Sequence, residues 1–301
     1  MSRIHEALKK AEQERAMLQP SQRVEMPAVL EAPEMPPGMV PGAVGRGIPG
    51  MATGMEALMT RSRETRWSPD PKKMLFFGTE EHASGMEEFR TLRSRLYQAR
   101  EKQPLSKLLI TSALPKEGKS FTTANLGQVM VRQHGRRVLL IDADLRNPQL
   151  HNQFGAEIGP GLGDYLRDEA DEYSIIQRGS MENLFLIPAG RISPNPAEML
   201  SNGRIKTLLH RLEPLFDWII IDSPPAVPVA DAAMLANHCD GVLLVVRSNS
   251  TPIDAARRAR AEFTGRNVVG VVLNGITAEM SPYMQYYYSA YSPNVRTEDK
   301  N

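Results

Sequence analysis

Eight residues, Ala113-Leu114-Pro115-Lys116-Glu117-Gly118-Lys119-Ser120, follow the apolar run Leu108-Leu109-Ile110 after Thr111-Ser112 and lead into a helical pattern. A loop in that setting binds phosphate. Its backbone amides and the helix N-terminus cradle phosphate oxygens, Lys119 reaches the β- and γ-phosphates, and the Ser120 hydroxyl coordinates magnesium. Ala113 stands where the usual pattern has its first glycine, so the weight falls on Gly118-Lys119-Ser120 and on the strand–loop–helix context. Two acidic sites accompany the loop: Asp142-Ala143-Asp144-Leu145-Arg146 after a second apolar run, and Asp222-Ser223-Pro224-Pro225 after a later one. Both place carboxylates at the carboxyl ends of strands, where open α/β sheets bind ligands and where a nucleotide-bound magnesium finds oxygen ligands. One aspartate after a strand can simply cap a turn. Three sites in this order point to nucleotide hydrolysis or phosphoryl transfer.

The elements that must position these residues are legible as apolar runs. Strands are expected at Leu108–Ile110, Val138–Ile141, Leu184–Ile187, Trp218–Ile221, Val242–Val246 and Val268–Leu273. Helical patterns lie between them, at about Ser120–His134, Ala197–Arg211, Asp231–Asn237 and Ile253–Phe263. Short continuous apolar runs alternating with helices predict a mostly parallel sheet covered on both faces. The expected fold is therefore an α/β, P-loop NTPase-like domain over residues 75–275, opened by a helix at about Ser84–Arg100. Residues 1–18 carry Ile4, Leu8, Ala11 and Leu18 near helical spacing and predict a short amphipathic helix. Residues 19–74, rich in Pro, Gly and Met, read as a linker; their methionines as a soft binding surface is the lesser reading.

Residues 276–301 form a tail that holds Tyr283, Tyr286, Tyr287, Tyr288 and Tyr291, five of the chain's eight tyrosines. Such a cluster after the last strand reads as an exposed, mobile phosphate acceptor, with an aromatic docking surface as the alternative. Lysine and arginine number 36 against 35 acids, so a protein dominated by contacts to nucleic-acid phosphates is excluded and no nucleic-acid partner is expected. The single cysteine, Cys239, excludes an intramolecular disulfide and a cysteine-rich zinc site and fits a reducing compartment. No apolar run reaches the roughly 18 residues of a membrane-spanning helix, and the N-terminus lacks a signal-peptide core, so the expected location is cytoplasmic.

These motifs resemble the deviant-Walker P-loop branch, and within it the bacterial tyrosine autokinases. The loop Pro115–Ser120, Asp142–Arg146 as Walker A′ and Asp222–Pro225 as Walker B carry the resemblance, which covers roughly residues 80–291. Gly161-Leu162-Gly163-Asp164-Tyr165-Leu166 and Asn195-Pro196-Ala197-Glu198-Met199-Leu200 are also similar to segments of that family. The related MinD/ParA positioning ATPases, the alternative reading, place a signature lysine where this chain has Leu114. The kinase family's E-x-x-R-x-x-R motif is matched by Glu87, Arg90 and Arg93, whose spacing puts them on one helical face.

The resemblance implies ATP and Mg2+ as cofactors. Pro115, Lys116, Glu117, Gly118, Lys119, Ser120, Phe121, Arg146 and Asn274 would line the nucleotide, Asn274 in the adenine-contacting position or as a plain turn residue. Arg146 would steady the Walker A′ turn or contact phosphate, and Lys116 replaces a glycine common in that loop. Lys119, Asp142, Asp144 and Asp222 would be catalytic, Asp142 accepting or orienting the tyrosine hydroxyl proton, with Ser120, Asp142 and Asp222 at the metal. It further implies a ring of subunits assembled through Glu87, Arg90 and Arg93, and autophosphorylation of the tail between subunits. Control of capsular or extracellular polysaccharide through a separate transmembrane chain-length regulator is implied as well. That partner would hold the protein at the inner face of the cell membrane, with the N-terminal helix as a docking element.

Overall fold

The computed structural model describes residues 49–71, 73–77, 85–132, 135–192 and 194–276, with side chains from residue 54 onward. The expected N-terminal helix at 1–18, the first part of the linker and all five clustered tyrosines lie outside the described residues. Eight strands form one sheet in the order β1-β4-β5-β3-β6-β2-β7-β8. They are β1 (Arg63–Glu64), β2 (Lys107–Ser112), β3 (Val138–Asp142), β4 (Gln177–Arg178), β5 (Leu184–Ile187), β6 (Trp218–Asp222), β7 (Gly241–Arg247) and β8 (Val268–Asn274). The six from β5 to β8 are mutually parallel, and β4 runs antiparallel to β5. The long apolar runs expected as strands are the six parallel ones. The two-residue strands β1 and β4 are too short to show a period.

Alternate residues of each buried strand face opposite sides of the sheet. Leu109, Leu139, Ile141, Ile219, Ile221 and Leu244 form one core, roofed by Leu208 and Leu212 of a helix at Arg204–Leu212 and by Phe263. Leu108, Ile110, Leu140, Trp218, Ile220 and Val245 form the other, with Phe89 and Leu96 from α2 (Met86–Lys102) and Met130 from α3 (Lys119–Val131). The remaining helices are α4 (Leu150–Phe154), α5 (Leu162–Leu166), α6 (Pro196–Ser201), α7 (Arg204–Leu212), α8 (Asp231–Ala236) and α9 (Ile253–Ala261). The single helix expected over 197–211 is two, because Gly203 adopts φ 78, a left-handed turn that ends the first and opens the second.

The linker reading of residues 19–74 needs correction at its C-terminal end. Helix α1 (Pro49–Arg61) and β1 lie within it, Leu58 is fully buried in the first core, and Trp67 and Met74 are buried in the second. Gly54 looks like a helix breaker, yet a Cβ there would meet Leu215 Cδ2 at 3.1 Å. Close approach to the body of the domain explains both the glycine and why tertiary packing prevails over local propensity. Among the described residues no helix is long and apolar enough to cross a membrane.

Candidate functional site

β2 lies between β6 and β7, and β6 lies between β2 and β3. Parallel register aligns the strand ends: Asp142 pairs with Asp222 across β3 and β6, while Ile110 of β2 pairs with the same Asp222. The loop after β2 and both acidic motifs therefore meet at one carboxyl edge, beneath the N-terminus of α3. Gly118 begins that helix at φ 94, and a Cβ there would lie 2.0 Å from Asn274 Nδ2. Only glycine fits.

Lys119 is buried, and its Nζ donates to Asp144 Oδ2 at 2.8 Å. Burial opposes its charge, but the carboxylates of Asp222 and Asp144 outweigh this and hold its pKa above the usual lysine value. Asp142 has no exposed surface. Its Oδ2 accepts the amides of Gln149 (3.0 Å) and Leu150 (2.9 Å), and its Oδ1 accepts only the Asp144 amide at 3.2 Å. Burial, then the facing Asp222, pushes the Asp142 carboxyl well above the ordinary range. Asp222 is also fully buried, and neither of its oxygens has a hydrogen-bond partner. Burial drives it up to about 6, against the pull of Lys119 and the nearby hydroxyls of Ser120 and Thr123.

An unpartnered buried carboxylate beside a serine hydroxyl and a phosphate-type loop is a donor set that fits a divalent cation. Among the described residues no cluster of three or more His, Cys, Asp and Glu side chains is disposed to hold a metal by itself. A magnesium ion here would take phosphate oxygens and water as its remaining ligands.

Several residues expected to line the nucleotide do other work. The Arg146 guanidinium is held by Asp231 of α8 through Nε (2.8 Å) and Nη2 (3.1 Å), not by the loop. Phe121 stacks edge-on against Phe89 of α2, with ring centroids 6.0 Å apart, and packs on the second core. Glu117 points inward: it is buried and accepts the Leu114 amide at 2.8 Å and the Thr251 hydroxyl. Asn274, read as an adenine contact or a turn residue, donates its side-chain amide to the Glu117 carbonyl at 2.9 Å. Pro115 and Lys116 are exposed on the loop. Arg90 pairs with Glu87 on the exposed side of α2, whereas Arg93 donates to the Val129 carbonyl of α3 at 2.9 Å. Thr251, Arg247 and Asp231 were not singled out from the sequence. The polar run Ser248–Thr251 after an apolar strand was the available signal for Thr251.

Residues 116–256 match a family model described as an AAA domain. A tyrosine-protein kinase of Bacillus subtilis, YwqD, is 36% identical over 212 residues, covering 70% of this chain and 88% of that protein. The kinase domain of Escherichia coli tyrosine kinase ETK superposes with a TM-score of 0.65 at 32% identity, over 75% of this chain and 89% of that domain. Of the longer E. coli protein Etk the chain spans 28%. MinD of Pyrococcus horikoshii shares the fold, with a TM-score of 0.50 at 22% identity. Leu114, not lysine, precedes Pro115–Ser120, and 88% of the Bacillus kinase is matched: the chain belongs to the bacterial tyrosine-protein kinases.

Proposed function

We propose that this tyrosine kinase binds ATP with Mg2+ at the loop Pro115–Ser120 and transfers the γ-phosphoryl group to Tyr283, Tyr286, Tyr287, Tyr288 and Tyr291, between subunits of a homo-oligomer. The observation that carries the reading is the convergence of Lys119, Ser120 and the unpartnered carboxylate of Asp222 at the end of β2. Phosphoryl transfer needs in-line positioning and neutralisation of charge more than covalent help from the protein. On nucleotide binding Lys119 exchanges Asp144 for phosphate oxygens, and the loop amides hold the phosphate chain in line. Magnesium would supply charge neutralisation there, with Ser120, Asp222 and Asp142 the residues that would hold it and Asp144 beside them. The tyrosine oxygen bonds to the γ-phosphorus as the bond to ADP breaks. Its proton goes to Asp142 Oδ1, the oxygen with acceptor capacity left, on a carboxyl that burial and the facing Asp222 make a stronger base than an ordinary aspartate.

Glu87, Arg90 and Arg93 would contribute to the subunit contact, with Arg93 acting through the end of α3. A separate transmembrane regulator of polysaccharide chain length would stimulate the kinase and hold it at the inner face of the membrane, in the service of capsule or extracellular polysaccharide production. The test is a phosphotyrosine mass map of the purified chain with ATP and magnesium, alone and with the cytoplasmic segment of such a regulator. Phosphate on Tyr283–Tyr291 is expected in the intact protein, and none in Lys119→Ala or in a chain cut before Tyr283. ATP consumption without phosphotyrosine in either arm rejects the acceptor assignment in favour of a positioning ATPase.

A further inference from the structure

Lys116 occupies φ 66, in the left-handed region that favours glycine, at the middle of the phosphate loop. A lysine backbone held there is strained, and the strain persists only because the surroundings over-determine the turn. The restraints are visible. Arg247 Nη1 donates to the Lys116 carbonyl at 3.1 Å, Asn274 donates to the Glu117 carbonyl at 2.9 Å, and the buried Glu117 carboxylate ties Leu114 to Thr251. Every one of these contacts is to the backbone or to Glu117. They would hold a glycine at 116 equally well, so they do not explain why a lysine is there.

The charge around the loop does. Glu117, Asp142, Asp144 and Asp222 are buried carboxyls at this edge, and Lys119 is their buried cationic neighbour. Arg146 is held by Asp231. A nucleoside triphosphate brings further negative charge into this setting. Lys116 is exposed on the loop itself, and among the described residues its ammonium has no carboxylate partner. The extra charge of a triphosphate over a diphosphate sits on its terminal phosphate, which must also stay open to the incoming acceptor.

We propose that the Lys116 ammonium folds over the lip of the loop onto the terminal phosphate of the nucleotide bound in its own subunit, so that the site discriminates triphosphate from diphosphate. This rests on the nucleotide-site reading above. Titration calorimetry of the full chain with magnesium and either ADP or an ATP analogue bearing a non-hydrolysable imido bridge tests it without requiring kinase turnover. For Lys116→Gly the Kd of the analogue should rise about tenfold, as for loss of one charge-assisted contact, while that of ADP changes less than about twofold. The same variant should melt at a higher temperature than the unaltered chain, because glycine accepts the left-handed turn. Lys116→Arg should retain the affinity for the analogue. Equal weakening for both nucleotides, or none, overturns the inference while leaving the nucleotide site intact. Failure of the unaltered chain to bind either nucleotide overturns both.

Discussion

Asp222 is fully buried with no hydrogen bond to either oxygen, and the attraction of Lys119 does not offset the cost of its burial. Asp222 titrates near 6 in the folded protein against 3.8 in an unfolded chain. Between those values the folded state still holds a proton that the unfolded chain has released, so this residue's stabilising contribution is full below about pH 4 and is lost as pH rises through 6. Replacing it should relieve the ligand-free protein at neutral pH. Asp222→Asn is expected to stabilise unfolding equilibria at pH 7 by roughly 1–3 kcal/mol, with the gain vanishing near pH 4, and to abolish phosphotyrosine formation. Thermal melts at the two pH values, beside the mass map, check both halves; a destabilised Asp222→Asn at pH 7 contradicts the account. Gly118 is the opposite case, a residue defined by what cannot be there. Gly118→Ala combines φ 94 with a 2.0 Å approach to Asn274 Nδ2. It should lower stability by about 1–3 kcal/mol and remove nucleotide binding. Adding Asn274→Ala should recover part of the stability and none of the strain, a difference that urea midpoints will resolve.

Among the elements, α1 and β1 have the most to say about where the folded domain begins. Leu58 of α1 lies in one core and Trp67, just past β1, in the other, so the segment wraps an edge of the sheet and seals both faces. Leu58→Ala should cost about 2–5 kcal/mol, the range for a fully buried leucine, and a chain beginning at residue 75 should be less stable than one beginning at 49 by more than that. Chemical denaturation of the three proteins settles the boundary; equal midpoints would restore the linker reading. The same logic separates the two arginines of α2. Arg93 donates to a carbonyl at the end of α3, and Arg90 pairs, among the described residues, with the exposed Glu87. Arg93→Ala should lose about 1 kcal/mol of stability, whereas Arg90→Ala should leave the melting temperature where it is, since exposed pairs contribute little.

At the scale of the whole molecule, tail and site are joined by one short path. β8 ends at Asn274, whose amide holds the phosphate loop, and the tyrosine-bearing segment follows within ten residues. Each phosphotyrosine adds a charge of about −1.5 to −2. A tail carrying several should repel itself and the acidic edge of a neighbouring site, and so loosen an oligomer assembled for transfer between subunits. Sedimentation velocity before and after incubation with ATP and magnesium should show the larger species giving way to smaller ones, with Lys119→Ala unchanged throughout. Arg90→Ala should give the smaller species from the start. Persistence of the large species on a fully phosphorylated tail excludes the switch.

The sequence by itself determined the architecture and the strand ends at which the candidate site residues stand. Six apolar runs dictate a parallel sheet, five of them buried and the edge strand β8 left partly uncovered with Val271 and Leu273 exposed, and Gly118-Lys119-Ser120, Asp142 and Asp222 follow or end three of the buried ones. Local pattern suffices there, because burial of the strands leaves no freedom about which ends the loops emerge from. Tertiary structure alone decided the rest. Whether a glycine- and proline-rich stretch folds depends on a partner such as Leu215, far along the chain. Where a side chain such as Glu117, Arg146 or Asn274 points depends on which donor or acceptor the fold brings opposite it. Such contacts join residues more than 80 positions apart, with no period or motif to announce them, and only the packed sheet brings them within hydrogen-bonding reach.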